Sequence, residues 1–218
     1  VFALFAALTL VGLMTGTMPF SLEKSLPALP VWLAIAVTFG VMIVLAILVE
    51  RIVLRPLVNQ DQIIMFMSTI GLAFVLEGLG DTMWGSGVKA LDVGIPSGNF
   101  MVGEIQIQVF DLWAAGIAAF LVVVLAVFFQ KTRTGRALRA VADDHQAALS
   151  VGIPLRNIWV VVWSAAGLVA LVAGIMWGSK SGVQFSLSLI ALKALPVLIL
   201  GGFTSVPGAI VGGLIIGV

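Results

Sequence analysis

Uninterrupted apolar runs of about twenty residues recur along the chain, and each is long enough to cross about 30 Å of hydrocarbon as an α-helix. No other feature limits the possible folds so strongly, because a backbone in hydrocarbon must satisfy its own N–H and C=O groups. The runs cover residues 1–18, 31–49, 62–84, 112–129 and 159–178, and a last, interrupted one covers 189–218. Hydrophobic residues make up 61% of the 218 positions and charged residues only 10%. The mean hydropathy is +1.21, outside the range of soluble domains. Alternation of the kind a membrane β-barrel needs, over about ten residues at a time, does not recur. The expected fold is therefore an all-α polytopic membrane protein, one helical-bundle domain over residues 1–218. Absence of cysteine excludes disulfides, thiolate metal sites and a cysteine nucleophile within the chain.

The formal net charge is only +1, so charge informs through its distribution, and no nucleic-acid partner is expected. Placing residues 50–61 and 130–157 on the cytosolic side gathers Arg51, Arg55, Lys131, Arg133, Arg136, Arg139 and Arg156 there. Lys24, Lys89 and Lys180 then fall outside and Lys193 within a span. This is the asymmetry of the positive-inside rule.

Gln130–Ile158 is the one long polar interval between strongly apolar segments. It reads as two short helices. Thr132 or Thr134 can cap the first, whose Arg136 and Arg139 lie three apart on one face. Asp143 and Gln146 have the spacing of a capping box for the second. Gly152 can stop that helix and Pro154 keeps it from resuming. Small residues Ala147, Ala148 and Val151 then share one side of roughly two turns, too few to be stable alone in water. The sequence Gly135-Arg136-Ala137-Leu138-Arg139-Ala140, Ala142-Asp143-Asp144, Ala147-Ala148 and Gly152-Ile153 thus has the chemistry of a rigid cytosolic handle. A solvated basic loop that only fixes topology is the plainer reading.

Other features are local. Gly12 and Gly16 form a small-residue face suited to close helix packing in lipid, or an ordinary lipid-facing surface. Trp32 sits where a membrane-interface aromatic belongs. Glu77 is an ionisable group inside a span, in its outer third, with Asp81 following; such a group faces water or a partner. Gly85–Asp111 is an acidic, glycine-containing outer segment with strand-like alternation at Glu104–Val109. In the last run, Lys193, Pro196, Gly201-Gly202-Phe203-Thr204-Ser205-Val206-Pro207-Gly208-Ala209 and Gly212-Gly213 argue against one continuous helix and for a broken or re-entrant element. The start at Val1 and the stop at Val218 inside an apolar run are read as those of an incomplete polypeptide.

Three stretches resemble one family. The Gly135–Ile153 pattern is similar to the cytoplasmic coupling loop of inner-membrane permeases of ABC importers, of the branched-chain amino acid (LivH/LivM) type and its urea and amide relatives. Glu50-Arg51 with Arg55-Pro56-Leu57 resembles that family too, and GGFTSVPGAxxGG over residues 201–213 resembles its GGxGSxPGAxxGG signature. The resemblance implies that Gly135, Arg136, Arg139, Asp143, Asp144, Ala147, Ala148 and Gly152 dock against a separate ATPase subunit. It also implies a translocation path near Ser68, Thr69, Gly71 and Glu77, and near Gly201, Gly202, Ser205, Pro207 and Gly208. The implied partners are ATPase subunits that hold ATP and magnesium, a second permease subunit, and an external solute-binding protein, all at the bacterial inner membrane.

No enzyme activity is expected. His145 is the only histidine, and it lacks the nucleophile or metal-ligand partners catalysis would need. Walker and G-x-S-x-G patterns are absent, and no resident cofactor or metal is implied. The expected function is translocation of a small neutral or zwitterionic solute, with branched-chain or other hydrophobic amino acids first and urea or short amides second. An autonomous secondary transporter or channel is the reading from another class; it calls for paired ionisable residues near mid-bilayer, and only Glu77 and Lys193 are available.

Overall fold

The computed structural model describes residues 1–17, 27–57, 60–96, 98–102, 105–143, 150, 152, 155–202 and 206–217. Its helices are α1 (Phe2–Thr15), α2 (Val31–Val49), α3 (Gln62–Trp84), α4 (Val109–Lys131), α5 (Arg133–Asp143), α6 (Leu155–Ser181), α7 (Ile190–Gly201) and α8 (Val206–Gly217). α2 continues through a π-helical turn at Glu50–Leu54 and a 3-10 turn at Arg55–Leu57, and a second 3-10 turn, Phe185–Leu189, leads into α7. Four stretches, Val31–Leu57, Ile63–Trp84, Val109–Lys131 and Ile158–Ser181, are long and apolar enough to cross a membrane. The protein is an all-α polytopic membrane protein. A two-stranded antiparallel hairpin, β1 (Asn99–Val102) with β2 (Ile105–Gln108), pairs Phe100 with Ile107 in the outer segment where the alternation lies.

α1 is the centre of the bundle. Every residue from Leu4 to Gly12 is buried. In lipid, hydropathy does not distinguish a central helix from a peripheral one, since acyl chains are as apolar as a core; close approach of backbones decides. Small residues permit it. A Cβ built on Gly174 of α6 would stand 2.5 Å from the Ala3 carbonyl oxygen, and one on Gly80 of α3 would stand 3.1 Å from a Leu8 methyl. α2 joins through its buried row Ala34, Thr38, Met42 and Ala46, spaced four apart on one face. Met42 of that row meets Gly167 of α6, where a Cβ would lie 3.3 Å from its own. The Thr38 hydroxyl donates to the Ala34 carbonyl at 2.7 Å, which satisfies a polar group in the seam.

Gly12 and Gly16, read as one packing face, have separate jobs. Gly12 leaves room for the Trp84 indole, whose Nε1 would be 2.5 Å from a Cβ there, and Phe5 meets that indole edge-on at 5.5 Å. Gly16 is the left-handed C-cap that ends α1, with φ 73°. The first helix accordingly stops at Thr15, short of residue 18. The outer ends are then tied together. Lys89 and Val183 exchange two backbone hydrogen bonds of 3.0 and 2.7 Å, and Leu91, Val183 and Leu187 complete the core above α1.

α4 differs from its neighbours: although strongly apolar, it has no buried residue. It is longer than the expected 112–129 span because Asp111 lies in its first turn and Lys131 in its last, each sign suited to its end of the helix dipole. At the outer end Lys180 of α6 donates to Asp111 at 2.7 Å, an exposed pair whose contribution is small.

The interrupted last run is two helices. Pro196 sits inside α7, which ends at Gly202 with φ 86°. α8 folds back on it: a Cβ on Gly201 would collide with the Gly208 backbone, and one on Gly212 would lie 2.8 Å from the Val197 carbonyl oxygen. At about 1.5 Å per residue neither helix alone reaches across about 30 Å of hydrocarbon.

Gly174→Val is expected to lower stability in detergent by about 1–3 kcal/mol through overpacking. The same substitution at Gly71, where a Cβ meets nothing within 4 Å, should leave the thermal midpoint almost unchanged. Equal midpoints for the two variants would show that the α1–α6 approach does not hold the bundle.

Candidate functional site: a cytosolic elbow and an inward carboxylate

The C-terminal end of α4 turns into α5 through an elbow whose geometry follows from local chemistry. Thr132 breaks the helix by adopting an extended backbone, φ −89° and ψ 156°. Its hydroxyl accepts the Gly135 N–H at 3.0 Å, so Thr132, rather than Thr134, caps α5. The same hydroxyl donates to the Phe128 carbonyl at 2.7 Å. A side chain at Gly135 would strike the Phe129 backbone, so the turn closes only over glycine. Arg139 Nη2 reaches back to the Phe129 carbonyl at 3.2 Å, supplying a donor and a positive charge to the end of α4.

α5 is fixed on its other side by packing. Val141 and Ile158 are buried against each other, with Ala137, Leu138 and Val162 around them. Arg133, Arg136, Arg139 and Ala140 are exposed. Asp143 is the last residue of α5, and its expected capping box with Gln146 falls outside the described residues. The apolar contacts of Ala137, Leu138 and Val141 carry the helix that far. Asp144, His145, Gln146, Ala147, Ala148 and Val151 lie outside the described residues. Gly152 has φ 81°, the left-handed conformation in which glycine stops a helix.

The residues read as path-lining separate on α3. Leu76, Gly80 and Trp84 are its buried stripe, and half-buried Glu77 borders it. Ser68, also half-buried, is nine residues from Glu77 and so on the opposite side of the helix. Thr69 and Gly71 are exposed, with the Thr69 hydroxyl spent on the Phe66 carbonyl at 2.7 Å. Gly201 and Gly208 form the crossing of α7 and α8, Gly202 ends α7, and Pro207 is in the first turn of α8. Ser205 lies outside the described residues. Structure adds a residue that sequence reasoning missed: Ser188, whose Oγ is 3.4 Å from Glu77 Oε1 across a separation of 111 residues. No periodicity or motif marks it. Among the described residues no group of acidic and histidine side chains could hold a metal ion.

Gly135→Ala is expected to lower the thermal midpoint by the equivalent of about 1–3 kcal/mol, because the added carbon meets backbone that cannot turn away. Arg139→Ala should cost less than about 1 kcal/mol, as an exposed helix-end hydrogen bond does. A harmless Gly135→Ala would remove the elbow's claim to rigidity.

The family model described as "Branched-chain amino acid transport system / permease component" matches residues 1–218. The chain is 30% identical over 233 residues to the Escherichia coli K12 high-affinity branched-chain amino acid transport system permease protein LivH, covering 100% of this chain and 69% of that one. With the Pseudomonas aeruginosa permease protein BraD, identity is 33% over 183 residues, covering 78% of this chain and 57% of that one. With the Azospirillum brasilense L-arabinose ABC transporter permease protein AraH it is 32% over 155 residues, covering 67% and 42%. No solved structure matches the chain. Full-length agreement with the family model, over a polytopic helical bundle, places this multi-pass inner-membrane protein in the family of branched-chain amino acid transport system permease components.

Proposed function

We propose that the chain is the translocating permease subunit of an ATP-driven importer, carrying branched-chain or other hydrophobic amino acids inward across the cytoplasmic membrane. The observation that carries this reading is the elbow. α5 is held between two spans by a cap, a glycine turn and a buried apolar pair, and it presents Arg133, Arg136 and Arg139 to the cytosol. A rigid, basic, solvent-facing lever suits a soluble motor. ATP and its magnesium ion would be held by partner ATPase chains, and a second permease subunit and an external solute-binding protein would complete the assembly.

The docking surface extends from α5 through Asp143, Asp144, Ala147 and Ala148 to Gly152, where small side chains let a partner groove close. Amino acids are the preferred solutes because LivH and BraD carry that name. AraH, named for arabinose, indicates that related permeases carry other small polar solutes, so the choice rests on transport measurements. The exposed position of Lys193 on α7 does not support the ion-coupled alternative, which needs paired charges inside the bundle.

Reconstituted with its ATPase, partner permease and binding protein, the chain should take up labelled leucine only with ATP. Uptake by the purified chain alone under an ion gradient would overturn the proposal in favour of a secondary transporter. Ala148→Glu should abolish uptake while leaving the assembled bundle's thermal midpoint within about 1 kcal/mol of the parent, as a surface substitution does. Undiminished uptake in that variant would remove Ala148 from the docking surface.

A further inference from the structure

We propose that Glu77 binds the ammonium group of the transported solute, so that the permease itself, and not only a soluble receptor, selects for amino acids. The inference deepens the amino-acid reading above and rests on it. Glu77 lies within the Ile63–Trp84 span, half-buried at the edge of the stripe that carries buried Leu76, Gly80 and Trp84, and one to three turns along the same side of α3 from exposed Phe66, Ile70 and Phe74. A carboxylate in that position is costly unless something compensates it.

Little does among the described residues. Among the described residues the ion pair is Lys180 with Asp111, at the end of α4, and Glu77 has none. Its hydrogen-bonding neighbour is Ser188, and a serine hydroxyl has one proton to give. That proton serves the Phe185 carbonyl at 2.7 Å, so the 3.4 Å approach to Glu77 leaves the carboxylate short of donors. Ser188 instead brings a hydroxyl oxygen beside the carboxylate, and two neighbouring acceptors suit a group with several N–H donors.

Position fits a translocation role. Glu77 meets Ser188 at the 3-10 turn that leads into α7, the first half of the broken hairpin. An ammonium held there would bridge α3 to the broken α7–α8 hairpin.

The test uses the complete transporter in proteoliposomes. Glu77→Gln should reduce ATP-driven leucine uptake about tenfold or more, as loss of one partner of a desolvated charge pair does. ATP hydrolysis stimulated by the loaded binding protein should stay within about twofold of the parent, a change of well under 1 kcal/mol, and Glu77→Asp should recover part of the uptake. Unchanged leucine uptake in Glu77→Gln would overturn the assignment. Absence of leucine uptake in the parent transporter would instead sink the amino-acid reading on which it rests.

A second readout does not need turnover. Because the chain has no cysteine, Glu77→Cys carries a unique thiol on this subunit. Leucine with its binding protein should slow labelling of that thiol by a cationic methanethiosulfonate, and labelling that leucine leaves unchanged counts against contact with solute. Uptake by the parent that rises and falls with sodium or proton concentration, and is lost in Glu77→Gln, would identify the bound cation as a coupling ion and overturn the proposal.

Discussion

Contact between α1 and α6 at Gly174 is the approach on which the rest of the bundle depends. In water, burying apolar side chains would drive two such helices together; in hydrocarbon that driving force vanishes, and dispersion at short range must take its place. Distance is therefore decisive. The missing side chain at Gly174 lets the backbone of α1 come against α6, and Gly167 does the same for α2 one seam away. α3 is then placed by Gly80 against Leu8 and by Trp84 over Gly12. α6 and α3 are positioned against α1 by glycines at the contact, and α2 by Gly167 in its own seam with α6, so the central helix can be short and featureless in hydropathy and still be wrapped on three sides.

This explains what could and could not be read from the residues alone. Spans are legible because length and hydropathy are set by bilayer thickness, and the loops between them by charge. Burial is not. α1 and α4 are both strongly apolar, yet one is buried over nine successive residues and the other has none buried. Side-chain size does not separate them either: α1 carries Phe2 and Phe5 beside Ala6, Ala7 and Gly12, and α4 carries Ala114, Ala115, Gly116, Ala118 and Ala119 beside Trp113 and Phe120. Gly12 and Gly16 look alike in a pattern search, but φ separates them, because Gly16 is needed for its left-handed backbone. Thr132 and Thr134 were indistinguishable as caps until the Gly135 turn, tight against Phe129, selected the first. Ser188 was invisible, since its significance comes from a residue 111 positions away.

The outer half of the core shows a cost the lipid-facing parts do not carry. Trp84 Nε1 and Ser179 Oγ are buried without a hydrogen-bond partner among the described residues. An unmet buried donor costs about 1–3 kcal/mol. For Trp84 the ring's large apolar area, set against Phe5 and Gly12, offsets that cost. Both groups sit at the ends of α3 and α6 that the Lys89–Val183 bridge ties together.

α6 is the element through which a push at the cytosolic end could reach that outer end. Ile158 and Val162 face α5, whereas Gly167, Leu171, Gly174 and Gly178 are packed against α2, α1 and the outer segment. At 3.6 residues per turn these two sets lie roughly 180° apart on the helix. One face of α6 therefore receives the elbow and the opposite face holds the bundle. A sideways displacement of α5 would bear on α6 in the direction of α1, where Gly174 brings backbone close to backbone and the Phe2 and Trp163 rings meet at 5.5 Å. α1 in turn is seated on α3 at Gly80, one turn from Glu77. The route from α5 to Glu77 thus runs through close-packed contacts, the buried Val141–Ile158 pair, Gly174 against Ala3 and Gly80 against Leu8, and interiors packed at that density transmit strain.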